Sequence, residues 1–340
     1  MEDTLNVLVT VDLSDAIMDK LKQISPRLKF NRKIVKTASD IPAETWATTD
    51  ILYTGGIVPE PNAVPRLRWI QSHSAGVDNL IDKPIMNAED IILTTTSGMH
   101  ATTMAELTFA MILAFARKIP LMLKHQQKQD WPQDRVTLFN PKELRRSTLG
   151  ILGYGSIGRE IARVAKAFGM EVLATKRDVK QPAAEGEYAE PGTGDPDGTL
   201  VDRLYPPEAT KSMVALCDFI VVLIPLTSET RGFVNEDILS AMKKTAVIIN
   251  MARGAVIDED ALIEVLQKGQ IGGAGLDVFT QEPLPSTSPL WKLDNVLISP
   301  HIGGNTDHYH ESAVAVFTEN LERYLANKDL VNRVDRKRGY

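Results

Sequence analysis

The stretch Gly153-Tyr154-Gly155-Ser156-Ile157-Gly158 closes an apolar run, Leu149 to Leu152, and opens a helix-compatible segment that continues to Phe168. A second short apolar run, Glu171 to Thr175, follows Gly169. Strand, glycine turn, helix, strand is the order that cradles a dinucleotide pyrophosphate. The first glycine permits a tight turn, the second lets the backbone approach phosphate, and the third lets the helix pack closely on the strand. The helix N-terminus adds unpaired N–H groups and the positive end of the peptide dipole. The same glycine spacing also serves plain turns in parallel sheets, so the flanking strands and helix carry the reading.

The end of the second strand narrows the ligand. An acidic residue there hydrogen-bonds the ribose 2'-hydroxyl of NAD, whereas a 2'-phosphate calls for a basic one. This chain has Thr175-Lys176-Arg177 and no acid before Asp178. A charge-assisted hydrogen bond contributes about 1.5 to 3 kcal/mol, so each phosphate contact shifts preference roughly tenfold to a hundredfold. NADP(H) is therefore the expected cofactor, with NAD(H) also possible.

Runs at Asn6 to Val11, Asp50 to Thr54, Leu67 to His73 and Ile91 to Thr96 read as strands separated by helix-compatible segments. That alternation predicts an α/β fold with a parallel sheet covered on both faces. A long helix is expected from Thr102 to Gln129, its apolar face including Leu107, Ala110, Met111 and Ala114, with Pro132 as its stop. From Ser147 a second series begins, with further strands at Asp218 to Leu223, Ala246 to Asn250, Ala274 to Phe279 and Val296 to Ser299. The chain thus reads as two doubly wound parallel-sheet domains. Asp178 to Gly198, polar and rich in Pro and Gly, reads as a mobile surface loop. A last helix, Asp307 to Leu325, has no strand after it; packing it on the first domain makes that domain discontinuous. The expected boundaries are 1–101 with 307–340, and 102–306.

The 340 residues, 43% hydrophobic, suffice for two cores, and a formal charge of −6 argues against nucleic-acid binding. A single cysteine, Cys217, excludes an internal disulfide, and its apolar surroundings predict burial. The N-terminus enters a strand without a basic leader, and no apolar run reaches the ~18 residues of a membrane helix. These features predict a soluble, cytoplasmic protein without membrane or nucleic-acid partners. His73, His100, His308 and His310 have no carboxylate at metal-site spacing, so they read as pocket-rim or surface groups, and no metal is expected.

Three polar residues follow successive strands of the second domain, where open α/β sheets place ligands: Arg253, Glu282 and His301. One basic, one acidic and one imidazole group can together polarise and protonate a carbonyl. Each alone has an ordinary structural reading, as a surface arginine, a turn residue before Pro283 and a loop histidine. Their surroundings are more specific: Asn250-Met251-Ala252-Arg253-Gly254, Gly275-Leu276-Asp277-Val278-Phe279, Glu282-Pro283-Leu284 and Ser299-Pro300-His301-Ile302-Gly303-Gly304. With Ser74-Ala75-Gly76-Val77-Asp78, Ala105-Glu106, Pro225-Leu226-Thr227 and Ser288-Pro289-Leu290-Trp291, this series resembles that of the D-isomer-specific 2-hydroxyacid dehydrogenases across nearly the whole chain.

The resemblance implies a Rossmann coenzyme domain inserted in a flavodoxin-like substrate domain, a cleft, and a homodimer. It implies an NAD(P)-dependent reductase of small 2-oxo acids, working reversibly on D-2-hydroxy acids. Arg253 would grip the carboxylate and polarise the carbonyl. His301 would be the general acid, and Glu282 would bond its other ring nitrogen and fix the tautomer. Ser74, with the N–H groups of Ala75 and Gly76, would complete the carboxylate site. Tyr53, in Tyr53-Thr54-Gly55-Gly56-Ile57, is a candidate border of the substrate side chain, or part of a plain turn. Asp277 would hold the nicotinamide carboxamide. Further cofactor contacts are implied for Met104, Gly153 to Gly158, Thr175, Lys176, Arg177, Ile224, Pro225, Thr230, Met251, Ala252, Arg253, His301, Gly303 and Gly304. Trp131 and Phe139 are candidates for interdomain or dimer packing.

Departures are few: Met251 is bulkier than the usual small residue, and the acid of the NAD type is missing. Glu282, where the related formate dehydrogenases pair Gln with His, argues against them. The basic pair and the lack of a C-terminal regulatory extension lean away from phosphoglycerate dehydrogenases. Two other functions share the architecture: a dinucleotide-sensing corepressor, and a dehydrogenase of a non-carbon substrate such as phosphonate.

Overall fold

The computed structural model describes residues 4–77, 80, 82–184 and 186–336. The chain divides into two compact units: Met1–Met99, Glu185–Glu190 and Thr306–Tyr340 form the first, His100–Ala184 and Pro191–Asn305 the second. Residues 1–3 and 337–340, at the outer ends of the expected first domain, lie outside the described residues.

In the first unit, strands β1 (Leu5–Val9), β2 (Leu28–Arg32), β3 (Ile51–Thr54), β4 (Trp69–Ser72) and β5 (Ile92–Thr94) form one parallel sheet in the order β2-β1-β3-β4-β5. Every residue of β3 and β4 is buried, because both faces are covered. The sequence reading missed β2: Leu28-Lys29-Phe30-Asn31-Arg32 is an edge strand whose polar residues face solvent, so no apolar run marks it. The last helix, Tyr309–Leu325, packs on this sheet. Phe317 stacks on Tyr53 with centroids 4.4 Å apart and tilts over Trp69 at 5.5 Å. Buried Asn320 donates to Gln71 Oε1 and the Val331 carbonyl, both at 3.1 Å, and accepts from the Val331 N–H at 2.8 Å. The amide is satisfied, and it fastens the segment after the helix to the sheet.

The second unit holds β6 (Thr148–Leu152), β7 (Glu171–Thr175), β8 (Arg203–Tyr205), β9 (Phe219–Val222), β10 (Val247–Asn250), β11 (Gly273–Leu276) and β12 (Val296–Ile298). All pair in parallel, in the order β12-β11-β10-β9-β6-β7-β8. The order reverses between β6 and β9, the switch point where such sheets receive ligands. Three-residue β8 is too short to leave a pattern and was not foreseen. Cys217 is buried behind β6, its thiol donating to the Met213 carbonyl at 3.2 Å, and burial pushes the thiol up to about 12.

The expected helix from Thr102 to Gln129 is two helices, Ala101–Ala116 and Ile119–Gln127. Lys118 turns left-handed at φ +60°, and Pro120, which has no N–H for a continuing helix, sits in the first turn of the second piece. The first helix ends before Pro120 and the second at Gln127, so Pro132 stops neither. The buried face also differs from the expected one: Ala105, Phe109, Met111 and Ile112 point inward while Ala110 is exposed. Small residues of β11 seat this helix. A Cβ added to Gly275 would lie 2.8 Å from Met111 Sδ, and one on Gly273 2.7 Å from the Phe115 ring. Among the described residues, no helix is long and apolar enough to cross a membrane.

Candidate active site

The glycine turn lies at the switch point of the second unit, and its three glycines have three different reasons. Gly153 takes φ +105°, and a Cβ there would press within 3.2 Å of Ile224 and Leu223 at the end of β9. A Cβ on Gly158 would meet the Gly153 carbonyl oxygen at 2.5 Å, so the helix Ser156–Ala167 sits directly on the turn. A Cβ on Gly155 would meet nothing within 4 Å. The fold therefore does not require glycine at 155; the open space before the helix N-terminus fits an approaching phosphate.

The other turn residues face inward. Thr175, buried, accepts the Gly153 N–H on Oγ1 at 3.1 Å and the Tyr154 N–H on its carbonyl at 3.0 Å, lacing β6 to β7. Tyr154 is buried too, and its hydroxyl donates to Asp195 Oδ2 at 2.5 Å. Burial and that bond push the phenol far above its ordinary value. Arg159 is buried beneath the same loop, its guanidinium 4.8 Å over the Tyr154 ring and donating to the carbonyls of Asp195 and Pro182, both at 2.6 Å. Gly194 N–H adds a bond to the buried Glu160 carboxylate at 2.6 Å. The segment Asp178 to Gly198, expected to be mobile, is thus anchored by buried side chains. The cause was out of local view, since Tyr154 and Asp195 are 41 residues apart.

The basic pair at the end of β7 is split. Lys176 Nζ donates to the carbonyls of Gln181 and Ala183, so it also holds the loop. Arg177 is more open, with Glu229 at 3.9 Å. Thr230 accepts the Thr227 N–H at 2.7 Å and donates to the Pro225 carbonyl at 2.6 Å, closing the loop after β9 that begins at Ile224.

Arg253, Glu282 and His301 lie on three loops that the second unit holds together. Gly254 makes the joint: a Cβ there would lie 1.8 Å from the Phe279 carbonyl carbon, so the loop carrying Arg253 runs against the loop carrying Glu282. Asn250 braces the first loop, donating to the Arg253 carbonyl and accepting from the Ala252 N–H, each at 3.1 Å. Glu282 accepts the Phe279 N–H on Oε1 at 2.9 Å and faces His301 Nδ1 from Oε2 at 2.7 Å. Burial raises the Glu282 carboxyl, but the His301 hydrogen bond, the Phe279 N–H and the His301 and Arg253 charges outweigh it and take the group below its ordinary value. An ionised Glu282 can only accept, so His301 Nδ1 carries a proton.

Asp277 sets the position of His301. Its backbone carbonyl accepts the His301 N–H at 2.8 Å, where His301 itself is left-handed at φ +55°. Its buried carboxylate accepts Ser299 Oγ at 2.5 Å, Ile302 N–H at 3.0 Å and Gly303 N–H at 2.9 Å. Expected at the cofactor, Asp277 here organises the loop that carries the imidazole. Met251 is buried, and a Cβ on Gly303 would meet its Cε at 2.6 Å; one on Gly304 would meet the His100 ring at 3.1 Å. Both glycines thus admit a close approach. Met104, on the helix Ala101–Ala116, and Ala252 are half-buried. Among the described residues, no three His, Cys, Asp or Glu side chains gather as a metal-holding group.

In the first unit, the loop after β4 carries Ser74, Ala75 and Gly76; Asp78 of that motif lies outside the described residues. The N–H groups of Ala75 and Gly76 have no acceptor among the described residues. Tyr53 is fully buried and so does not border a substrate. Its hydroxyl meets His73 Nδ1 at 2.6 Å, and His73 Nε2 meets His310 Nδ1 at 3.1 Å. His73 is therefore a core residue, not a rim or surface group as expected. Burial, with the nearby His310, lowers it to about 4, so the ring is neutral. His308 is exposed, 3.5 Å from Asp307.

Known proteins resemble this chain in sequence and in fold. The family model described as D-isomer specific 2-hydroxyacid dehydrogenase, NAD binding domain, matches residues 109–303. A glyoxylate reductase of Pyrococcus furiosus is 35% identical over 280 residues, covering 78% of both chains. A D-3-phosphoglycerate dehydrogenase of Methanocaldococcus jannaschii is 34% identical over 270 residues, covering 79% of this chain but only 48% of that relative. A solved D-isomer specific 2-hydroxyacid dehydrogenase from Xanthobacter autotrophicus, in complex with NADPH and MES, superimposes with a TM-score of 0.78 at 28% identity, covering 99% of this chain and 100% of that one. A family protein from Aeromonas salmonicida gives 0.75 at 30% identity, covering 98% and 100%.

Proposed function

Because this chain belongs to the D-isomer-specific 2-hydroxyacid dehydrogenases, we propose that it reduces small 2-oxo acids to D-2-hydroxy acids, using NADPH in preference to NADH. The observation that carries the reading is the Glu282 to His301 contact of 2.7 Å, held beside Arg253 on interlocked loops at the sheet's ligand end. The open cradle at Gly155 fits the dinucleotide, and the Xanthobacter relative's complex with NADPH agrees. A bound nicotinamide would supply hydride to C2 of the 2-oxo acid. Arg253 grips the carboxylate and polarises the C2 carbonyl through its planar donor array. Glu282 holds the proton on His301 Nδ1, so the doubly protonated ring delivers its second proton from Nε2 to the carbonyl oxygen. The direct test follows oxidation of NADPH and of NADH across glyoxylate, hydroxypyruvate, 2-oxoisocaproate and phenylglyoxylate; inactivity on all four sinks the reading.

For the 2'-phosphate, Arg177 is the residue of choice, because Lys176 already serves two loop carbonyls. Arg177→Asp is expected to lower the NADPH to NADH ratio of kcat/KM roughly tenfold to a hundredfold. An unchanged ratio would refute this assignment.

The protein also acts as a homodimer in this reading. Ile119, Met122 and Leu123 are exposed apolar residues on the helix Ile119–Gln127, and Trp131 and Val136 beyond it are 78% and 79% exposed. So much open apolar surface in one segment marks an association face. Sedimentation at micromolar concentration should give about twice the 37.5 kDa chain mass, and Val136→Asp should shift it toward monomer. A wild-type monomer would overturn the proposal.

A further inference from the structure

The loops that follow β7 and β9 stand on either side of the glycine turn, because β6, which leads into that turn, lies between those two parallel strands in the sheet. One charged contact joins them. Arg177 Nη2, just after β7, lies 3.9 Å from Glu229 Oε2 on the loop after β9. The two side chains are 46% and 83% exposed, and an ion pair so open to water adds little to stability. Its place beside the glycine turn points to recognition instead.

A carboxylate at this spot is what the sequence lacks in its usual position. Enzymes that bind NAD carry, at the end of the second strand, an acid that accepts the ribose 2'-hydroxyl. Here the residues at that end have other partners: Thr175 Oγ1 accepts the Gly153 N–H, and Lys176 Nζ donates to two loop carbonyls. Asp178, the first acid after the strand, turns Oδ1 to its own loop and accepts the Lys180 N–H at 2.9 Å. Glu229 reaches the same place from the opposite side, on a backbone that is held. It sits between Thr227 and Thr230, each of which donates its N–H to the other's hydroxyl oxygen, at 2.7 and 3.2 Å. The Arg231 N–H closes the same turn on the Thr227 carbonyl at 3.1 Å.

We propose that Glu229 is a specificity-determining residue whose carboxylate accepts the ribose 2'-hydroxyl of NAD(H), while Arg177 beside it receives the 2'-phosphate of NADP(H). One ion pair then serves both cofactors, each with a different half. A 2'-hydroxyl makes a charge-assisted hydrogen bond to the carboxylate, whereas a 2'-phosphate is repelled by it. Glu229 therefore limits the preference for NADPH. The inference rests on the proposed dinucleotide site and on Arg177 as its 2'-phosphate residue.

The test is equilibrium binding of NAD+ and of NADP+ to the whole protein by calorimetry, which needs no turnover. Glu229→Ala should weaken NAD+ about tenfold, as expected for loss of one hydrogen bond to a charged group, and tighten NADP+ about threefold by removing a like charge. Glu229→Gln keeps an acceptor of the same reach without the charge. It should recover part of the NAD+ binding and retain the gain for NADP+. A loop that had merely lost its shape would bind both dinucleotides less well, so opposite shifts are the signature of a direct role. Unchanged NAD+ binding in Glu229→Ala, or parallel weakening of both dinucleotides, overturns the proposal. A wild type that binds NADP+ but not NAD+ also overturns it and leaves the cofactor site standing. Binding of neither dinucleotide to the wild type is a different failure, because it removes the cofactor reading itself and this proposal with it.

Discussion

Replacement of His301 by alanine lowers kcat for 2-oxo acid reduction by about 10² to 10⁴, the usual cost of losing a positioned general acid. Substrate KM should move much less, because the carboxylate contact proposed for Arg253 remains. Glu282→Gln should fall between wild type and His301→Ala. The glutamine can still accept from Nδ1 but no longer places a negative charge 2.7 Å from the ring. Steady-state rates with saturating NADPH decide the matter, and wild-type turnover in His301→Ala would falsify the assignment.

The second large effect is expected at Gly254, which touches neither substrate nor cofactor in the proposed mechanism. A methyl group there would lie 1.8 Å from the Phe279 carbonyl carbon and 2.2 Å from its oxygen, backbone atoms that no side-chain rotation can relieve. Gly254→Ala should therefore force the loops after β10 and β11 apart, at a cost of about 3 kcal/mol. It should also reduce kcat, because Arg253 is carried on one loop and Glu282 on the other. Denaturant unfolding measures the first effect and steady-state kinetics the second. A variant with an unshifted midpoint and full activity would show that the two loops are not interlocked.

What the sequence revealed was what is local. The glycine turn, the strands of unbroken apolar residues and the short motifs around Arg253, Glu282 and His301 each declare themselves within a few residues. Edge strand β2 did not, because its outward residues are polar, and β8 is too short to show a period. The break at Lys118 had a visible signal in Pro120, overridden by the apolar pattern on both sides. The inward turn of Tyr154 and the commitment of Lys176 to carbonyls depend on how a polar loop folds back, which composition does not encode. Least legible was the link from Tyr53 to His73 to His310. It joins residues 20 and 237 positions apart, and each histidine alone looks like any other.

The short segment 186–190 has a consequence for recombining such proteins. It belongs to the first unit although the chain on both sides of it belongs to the second. There the Tyr188 N–H donates to Asn332 Oδ1 at 2.9 Å and the Gly186 carbonyl accepts the Asn332 N–H at 2.7 Å. The Tyr188 carbonyl oxygen lies where a Cβ on Gly98 would come within 2.3 Å. A transplant that exchanges the coenzyme-binding part as one block from His100 to Asn305 would strip the recipient of this piece, leaving Asn332 without two of its bonds. The natural unit of exchange is therefore two blocks, 100–184 and 191–305, with the six residues 185–190 left behind.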